Sequence, residues 1–133
     1  MRIAFFGSSL VSAYWNGAAT YYRGLLQALA RRGHAISFYE PDAFERQQHR
    51  DIGDPEWARV IVYAPDESAV RAALREALEN ADVLVKASGV GIFDALLEEH
   101  VAAAGRPGLL TAFWDVDAPA TLGRLAADPG DPF

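Results

Sequence analysis

Short runs that are apolar at almost every position alternate with longer segments whose apolar residues recur every three or four positions. This alternation constrains the fold more than any other feature of the chain. Ile3-Ala4-Phe5-Phe6 is unbroken and ends at Gly7. A strand with one wet face would alternate apolar and polar residues, so an unbroken run reads as a strand buried on both faces. Ala35 to Tyr39, Val60 to Tyr63, Asp82 to Lys86 and Leu109 to Trp114 repeat the signal. Ala18, Tyr22, Leu25, Leu26 and Leu29 fall on one face of an intervening helix. Asn16 is its expected N-cap, and Arg31-Arg32-Gly33 its expected end, with cations at the negative dipole pole and a left-handed Gly beyond. Pro65-Asp66 opens a second helix through Val70, Leu74, Ala77 and Leu78, and Phe93, Leu96, Leu97 and Val101 line a third. A last helix is expected after Pro119, up to Ala127. Glu40-Pro41-Asp42 reads as the stop of the second strand, residues 43–56 as a polar loop or short helix, and residues 128–133 as loop.

Strand–helix alternation of this kind implies an α/β, Rossmann-like, doubly wound parallel sheet of about five strands with right-handed crossovers and helices on both faces. The usual strand order for such a sheet is 3-2-1-4-5. The 133 residues make one domain, 1–133, long enough for a real core. With 12 basic and 18 acidic residues, a formal net charge of -6, the surface repels phosphate backbones, so no nucleic acid is expected as a partner. No apolar run approaches a membrane span. Cysteine is absent, which excludes disulfides and thiolate chemistry and fits the cytoplasm. No metal and no cofactor are expected: His34, His49 and His100 are scattered, and Gly7-Ser8-Ser9-Leu10 lacks the remaining glycines of a dinucleotide loop.

Open parallel sheets bind ligands beyond the carboxyl ends of their strands, where the strand order reverses. That puts the loops at Gly7, Ser8 and Ser9 and at Lys86, Ser88 and Gly89 side by side, with Asp115 and Asp117 one strand further along. Tyr14, Trp15, Asn16 and Gly17 overhang the same rim. Small residues allow close backbone approach, a helix start at Gly17 offers amides, and flat aromatic faces pack on sugar rings. Plainer roles compete at each position. Gly7 fits a strand end, Trp15 a core residue, Lys86 a solvated charge, and Asp115 or Asp117 a helix cap.

The first forty residues carry a resemblance. Met1 to Gly7, then Asn16-Gly17-Ala18-Ala19-Thr20-Tyr21-Tyr22-Arg23-Gly24-Leu25-Leu26, then Ala28-Leu29-Ala30-Arg31-Arg32-Gly33-His34-Ala35-Ile36, resemble the start of GT-B glycosyltransferases. Glu40-Pro41-Asp42 and Trp114-Asp115-Val116-Asp117-Ala118-Pro119 are similar to the family-4-like subgroup related to spore-maturation proteins. Two departures stand out: Asn16-Gly17 replaces the usual Gly-Gly of the acceptor loop, and Asp115 replaces the His that many retaining relatives carry after strand five. The resemblance implies an N-terminal domain that binds a sugar or glycan acceptor, opposite a second domain that binds a nucleotide-sugar donor. It implies acceptor contacts at Gly7, Ser8, Ser9, Tyr14, Trp15, Asn16 and Gly17, and at Lys86, Ser88 and Gly89. Asp115, then Asp117, would take or orient the acceptor hydroxyl proton. On this reading the chain is the N-terminal part of a longer enzyme and transfers no sugar alone. A further reading leaves apolar surface exposed where missing strands would belong, which favours self-association. The alternative is a non-enzymatic flavodoxin-like or adaptor domain, with Ser8, Ser9 and Ser12 as a degenerate phosphate loop.

Overall fold

The computed structural model describes residues 1–128, 130 and 131; Pro129, Pro132 and Phe133, part of the expected terminal loop, lie outside the described residues. Five parallel strands, β1 (Arg2–Phe6), β2 (Ala35–Pro41), β3 (Ala58–Tyr63), β4 (Val83–Ala87) and β5 (Leu110–Trp114), lie in the order β3-β2-β1-β4-β5. The expected order and direction are therefore those observed. Four helices connect them: α1 (Ala18–Arg31), α2 (Glu67–Asn80), α3 (Asp94–Ala103) and α4 (Ala118–Ala127). Among the described residues no helix is long and apolar enough to cross a membrane.

The two faces of β1 show why the apolar runs are unbroken. Ala4 and Phe6 enter one core with Tyr39, Leu84, Val70 and Leu74, under α2 and α3. Ile3 and Phe5 enter the other with Tyr22, Leu26, Phe38 and Val85, under α1. Ile3, Ala4, Phe5 and Phe6 thus each have a packed layer to fill, whichever side they face. The rings interlock on both sides: Phe5 stacks on Phe38 at 5.5 Å, and Phe6 on Tyr39 at 4.7 Å.

Helix boundaries follow local chemistry. α1 ends as its sequence requires, with Gly33 at φ 85° and its N–H donating to the Ala30 carbonyl. α2 is capped by Asp66, whose carboxylate accepts from the Ala69 N–H. Two expectations need correction. Asn16 does not cap α1: the cap position is Gly17, without a side-chain bond, because the Asn16 amide is held by the preceding loop. Nor does Glu40-Pro41 stop β2, since both residues pair with β3 (Glu40 opposite Val62, Pro41 opposite Tyr63). Residues 44–49 of the polar connection form turns rather than a helix, and both Phe44 and Glu45 have positive φ. α4 forms as expected but buries no residue.

Gly7 ends β1 against packed rings. A Cβ there would stand 2.5 Å from Phe38 Cζ and 3.3 Å from the Tyr22 ring. Neither ring has room to retreat, so overpacking is the expected cost. Gly7→Ala should destabilise the domain by roughly 1–3 kcal/mol, read as a lower urea midpoint with unchanged slope; an unchanged midpoint would show that the rings yield freely.

Candidate functional site

The loop between β1 and α1 is buried rather than open. Ser8, Ser9, Leu10, Val11, Ser12 and Asn16 are all buried. Such a loop must satisfy its polar atoms internally, and its buried polar side chains do so. The Ser8 hydroxyl donates to Asn16 Oδ1 at 2.8 Å, and the Asn16 amide donates to the carbonyls of Ser9 and Ser12, both at 2.9 Å. The Ser9 hydroxyl donates to Glu40 at 2.9 Å, and the Leu10 N–H donates to the other Glu40 oxygen at 2.6 Å. Ser8, Ser9 and Asn16 therefore shape the rim from within, while Gly17 stays exposed at the start of α1.

The β2–β3 connection, residues 42–57, lies along this loop and zips to it. Ser12 Oγ donates to the His49 carbonyl at 2.7 Å, and the Ala13 N–H to Asp51 at 2.9 Å. Arg23 of α1 grips Asp51 through both terminal nitrogens, at 2.8 and 2.7 Å, and its Nε donates to the Leu10 carbonyl. These hydrogen bonds hold the Asp51 carboxyl well below the usual carboxylate range. Tyr14 stacks on His49 with ring centroids 4.1 Å apart. Further along, the Phe44 ring lies against Gly91 of the β4–α3 loop; a Cβ on Gly91 would meet it at 2.8 Å. Arg46 lies over that ring and donates to the Ser8 carbonyl at 3.3 Å. The crevice expected between β1 and β4 is thus spanned by Phe44 and Arg46.

On the other side of β4, Lys86 is fully buried, not solvated. Its ammonium lies 2.6 Å from both Asp94 and Glu98 of α3. Asp94 also accepts from the Val90 and Gly91 N–H groups, and Glu98 reaches Arg124 of α4 at 3.1 Å. Lys86 therefore points to α3 and anchors the rim from beneath. Ser88 and Gly89 are the rim residues here. They share a shallow cavity of about 240 Å³ with Asp94, Phe113, Thr121 and Arg124.

Asp115 lies at the end of β5. Its carboxylate accepts from the Asp117 N–H at 2.9 Å, and it is further held by Thr121 and Ser88; these bonds lower its pKa. Asp115 thus closes a turn ahead of α4 rather than capping it. Asp117 occupies the α4 cap position but makes no side-chain capping bond. Trp15 is no core residue: it is 85% exposed at φ 45°. Tyr14 is exposed beside it, 6.3 Å from ring to ring. The start of α1 and the end of β5 meet where the Tyr21 and Trp114 rings lie 5.7 Å apart. The structure therefore gathers Tyr14, Trp15, Gly17, Ser88, Gly89, Asp115 and Asp117 on one rim, and turns the side chains of Ser8, Ser9, Asn16 and Lys86 inward. Among the described residues no group of three or more His, Asp or Glu could hold a metal ion.

The rim holds polar residues that the sequence reading did not single out: Glu40, Arg46, Asp94 and Glu98. A usable signal existed for Glu40, because an acid at the carboxyl end of an apolar parallel strand must be paired. Asp94 and Glu98 stand at i and i+4, one face of a helix, where they can share a cation. No protein-family model, no curated protein and no solved structure matches this chain.

Two outcomes follow from these pairs. Removing the Lys86 ammonium would leave the buried Glu98 with only the half-exposed Arg124 opposite it, and would strip Asp94 of its cation. Lys86→Met should therefore cost ~3–5 kcal/mol in chemical denaturation, and Lys86→Met with Glu98→Met should recover much of it. Equal losses in the single and double variants would count against the pairing. The Asp51 carboxyl is depressed in the folded state, so its contribution is present above the unfolded carboxylate range of about 4 and is lost as pH falls below it. The melting-temperature gap between wild type and Asp51→Asn should shrink on acidification below pH ~4; a gap constant down to pH ~2 contradicts the assignment.

Proposed function

We propose that this domain binds the acceptor of a glycosyltransferase of the GT-B kind, in which a second Rossmann-like domain binds the nucleotide-sugar donor. Trp15 carries the reading. Exposing most of an indole forfeits a large burial gain, and the left-handed backbone under it adds strain. A residue held out at such cost, beside Tyr14 and on the ligand-binding edge of a parallel sheet, suits a flat ligand face such as a sugar ring. The resemblance at Asn16-Gly17, in the Leu29-Ala30-Arg31-Arg32-Gly33-His34 phrase and after β5 supports the same assignment.

The roles then follow from chemistry. Trp15 and Tyr14 supply apolar faces. Gly17, Ser88 and Gly89 allow close approach. Asp115 is held ionised, and a weakened base is better suited to orienting a hydroxyl than to taking its proton, because a general base works best near the operating pH. Asp117 is the second acceptor of a hydroxyl hydrogen bond. Catalysis by such a domain rests mainly on holding the acceptor oxygen in line with the donor carbon once the cleft closes. The flavodoxin-like reading needs Ser8, Ser9 and Ser12 hydroxyls turned to a phosphate. All three are committed, to Asn16, Glu40 and the His49 carbonyl.

Titrating the protein with a panel of neutral mono- and oligosaccharides should give a saturable change in tryptophan emission for at least one of them. Trp15→Ala should weaken that binding about tenfold, ~1.4 kcal/mol, without lowering the melting temperature. No saturable response to any sugar, or equal affinity without Trp15, would sink the reading.

A further inference from the structure

Arg46 is a buried cation without a counter-ion in contact. The residue is only 8% exposed, yet its one side-chain hydrogen bond among the described residues is the long one from Nη1 to the Ser8 carbonyl. Nε is buried with no partner. A guanidinium carries five N–H donors in a fixed fork, and burial of a charge is tolerated only with pairing. Burial accordingly lowers its pKa.

Neither neighbouring acid forms an ion pair with Arg46. Glu40 attracts the guanidinium from a distance, its oxygens bonded instead to the Ser9 hydroxyl, the Gln47 amide and the Leu10 N–H. Asp94 is taken by Lys86 and two backbone N–H groups. A second buried polar atom without a partner, the Tyr63 hydroxyl, lies on β3, whose end bonds back to this connection through the Asp42 N–H and the Tyr63 carbonyl. The Phe44 ring covers the guanidinium, with its centroid 4.9 Å from Cζ, and that ring rests on Gly91, where no side chain intervenes. Phe44 itself is half exposed, and it and Glu45 both stand in the left-handed region without being glycine. The seated ring is therefore held in a costly backbone and has little core to lose by leaving.

We propose that Arg46 is the recognition residue for an oxyanion, a phosphoryl group or a carboxylate, bound in the gap between Ser8 and Gly91, and that Phe44 seated on Gly91 is the closed gate of that site. The oxyanion satisfies the guanidinium fork that the fold leaves unpaired, and a lifted ring vacates the space for it. The site does not depend on sugar transfer, and it is read by Arg46 rather than by Trp15, so either reading can fail without the other.

The test is a titration of the full chain with inorganic phosphate and, separately, with acetate, followed through the Arg46 Nε–H resonance. A saturable shift with either ion is expected, and the ion that binds more tightly identifies the ligand group. Phe44→Ala should tighten binding at least threefold, and Arg46→Gln, followed through the Ser8 and Gly91 backbone amide resonances, should weaken it about tenfold. No saturable shift with either ion, in wild type and in Phe44→Ala, overturns the site. Equal affinity in wild type and Phe44→Ala overturns the gate. The resonance titration needs no substitution at Arg46, so a poorly folding Arg46→Gln leaves the test intact.

Discussion

The carboxylate of Glu40 is the interaction on which the rim depends. It stands fully buried at the end of β2, a place that parallel pairing makes expensive for any charge. Its compensation comes from two directions: the Ser9 hydroxyl and the Leu10 N–H in the β1–α1 loop, and the Gln47 amide in the β2–β3 connection. One acid thus joins two loops that have no regular structure of their own. With the β1–α1 loop fixed, Asn16 can clamp Ser9 and Ser12, and with the connection fixed, Asp51 meets Arg23 and His49 meets Tyr14. The exposed aromatic residues owe their position to this buried scaffold.

Lys86 does for the opposite half of the rim what Glu40 does for this one. Both are charged side chains at the carboxyl ends of strands, and both face inward. Lys86 draws Asp94 and Glu98 onto β4, and Asp94 in turn bonds the N–H groups of Val90 and Gly91. The Gly89-to-Gly91 turn is thereby held in the shape that lets Phe44 seat on it. A neutral residue at Lys86 would leave two acids facing each other across a low-dielectric gap.

Much of the architecture was legible because burial on both faces of a strand leaves no room for polar alternation. The runs at Ile3, Ala35, Val60, Val83 and Leu110 could pair only in a covered sheet, and right-handed crossovers then set their order. The rim was less legible. Serines in a loop read equally well as ligand contacts or as internal struts, and only the position of Glu40 decides between them at Ser9. Asn16 stood where a cap belongs, yet a buried amide satisfied by two carbonyls is worth more than a cap exposed to water. Residues 43–56 carry no hydrophobic period, because they pack against other loops rather than against the sheet, so their reach over β1 to Gly91 left no trace in the pattern. Trp15 looked equally suited to the core; its exposure follows from the turn before α1, which no periodicity encodes.

The rim therefore has two tiers with different physics. The inner tier of Ser8, Ser9, Asn16, Glu40, Lys86, Asp94 and Glu98 is bonded nearly to completion, and its rigidity is what a binding edge needs beneath it. The outer tier of Trp15, Tyr14, Ser88, Asp115 and Asp117 lies nearer the surface and is fixed by fewer contacts, chiefly the Asp115 turn and the Tyr14–His49 stack. Arg46 belongs to neither: it is buried like the first, yet its guanidinium bonds only the Ser8 carbonyl among the described residues. Phe44 can act as its cover because Gly91 leaves space for the ring, and Gly91 is held by the carboxylate that Lys86 draws in. The fixed and the adjustable parts of this edge thus meet at Asp94, which bonds Lys86 beneath and the N–H of Gly91, on which Phe44 rests.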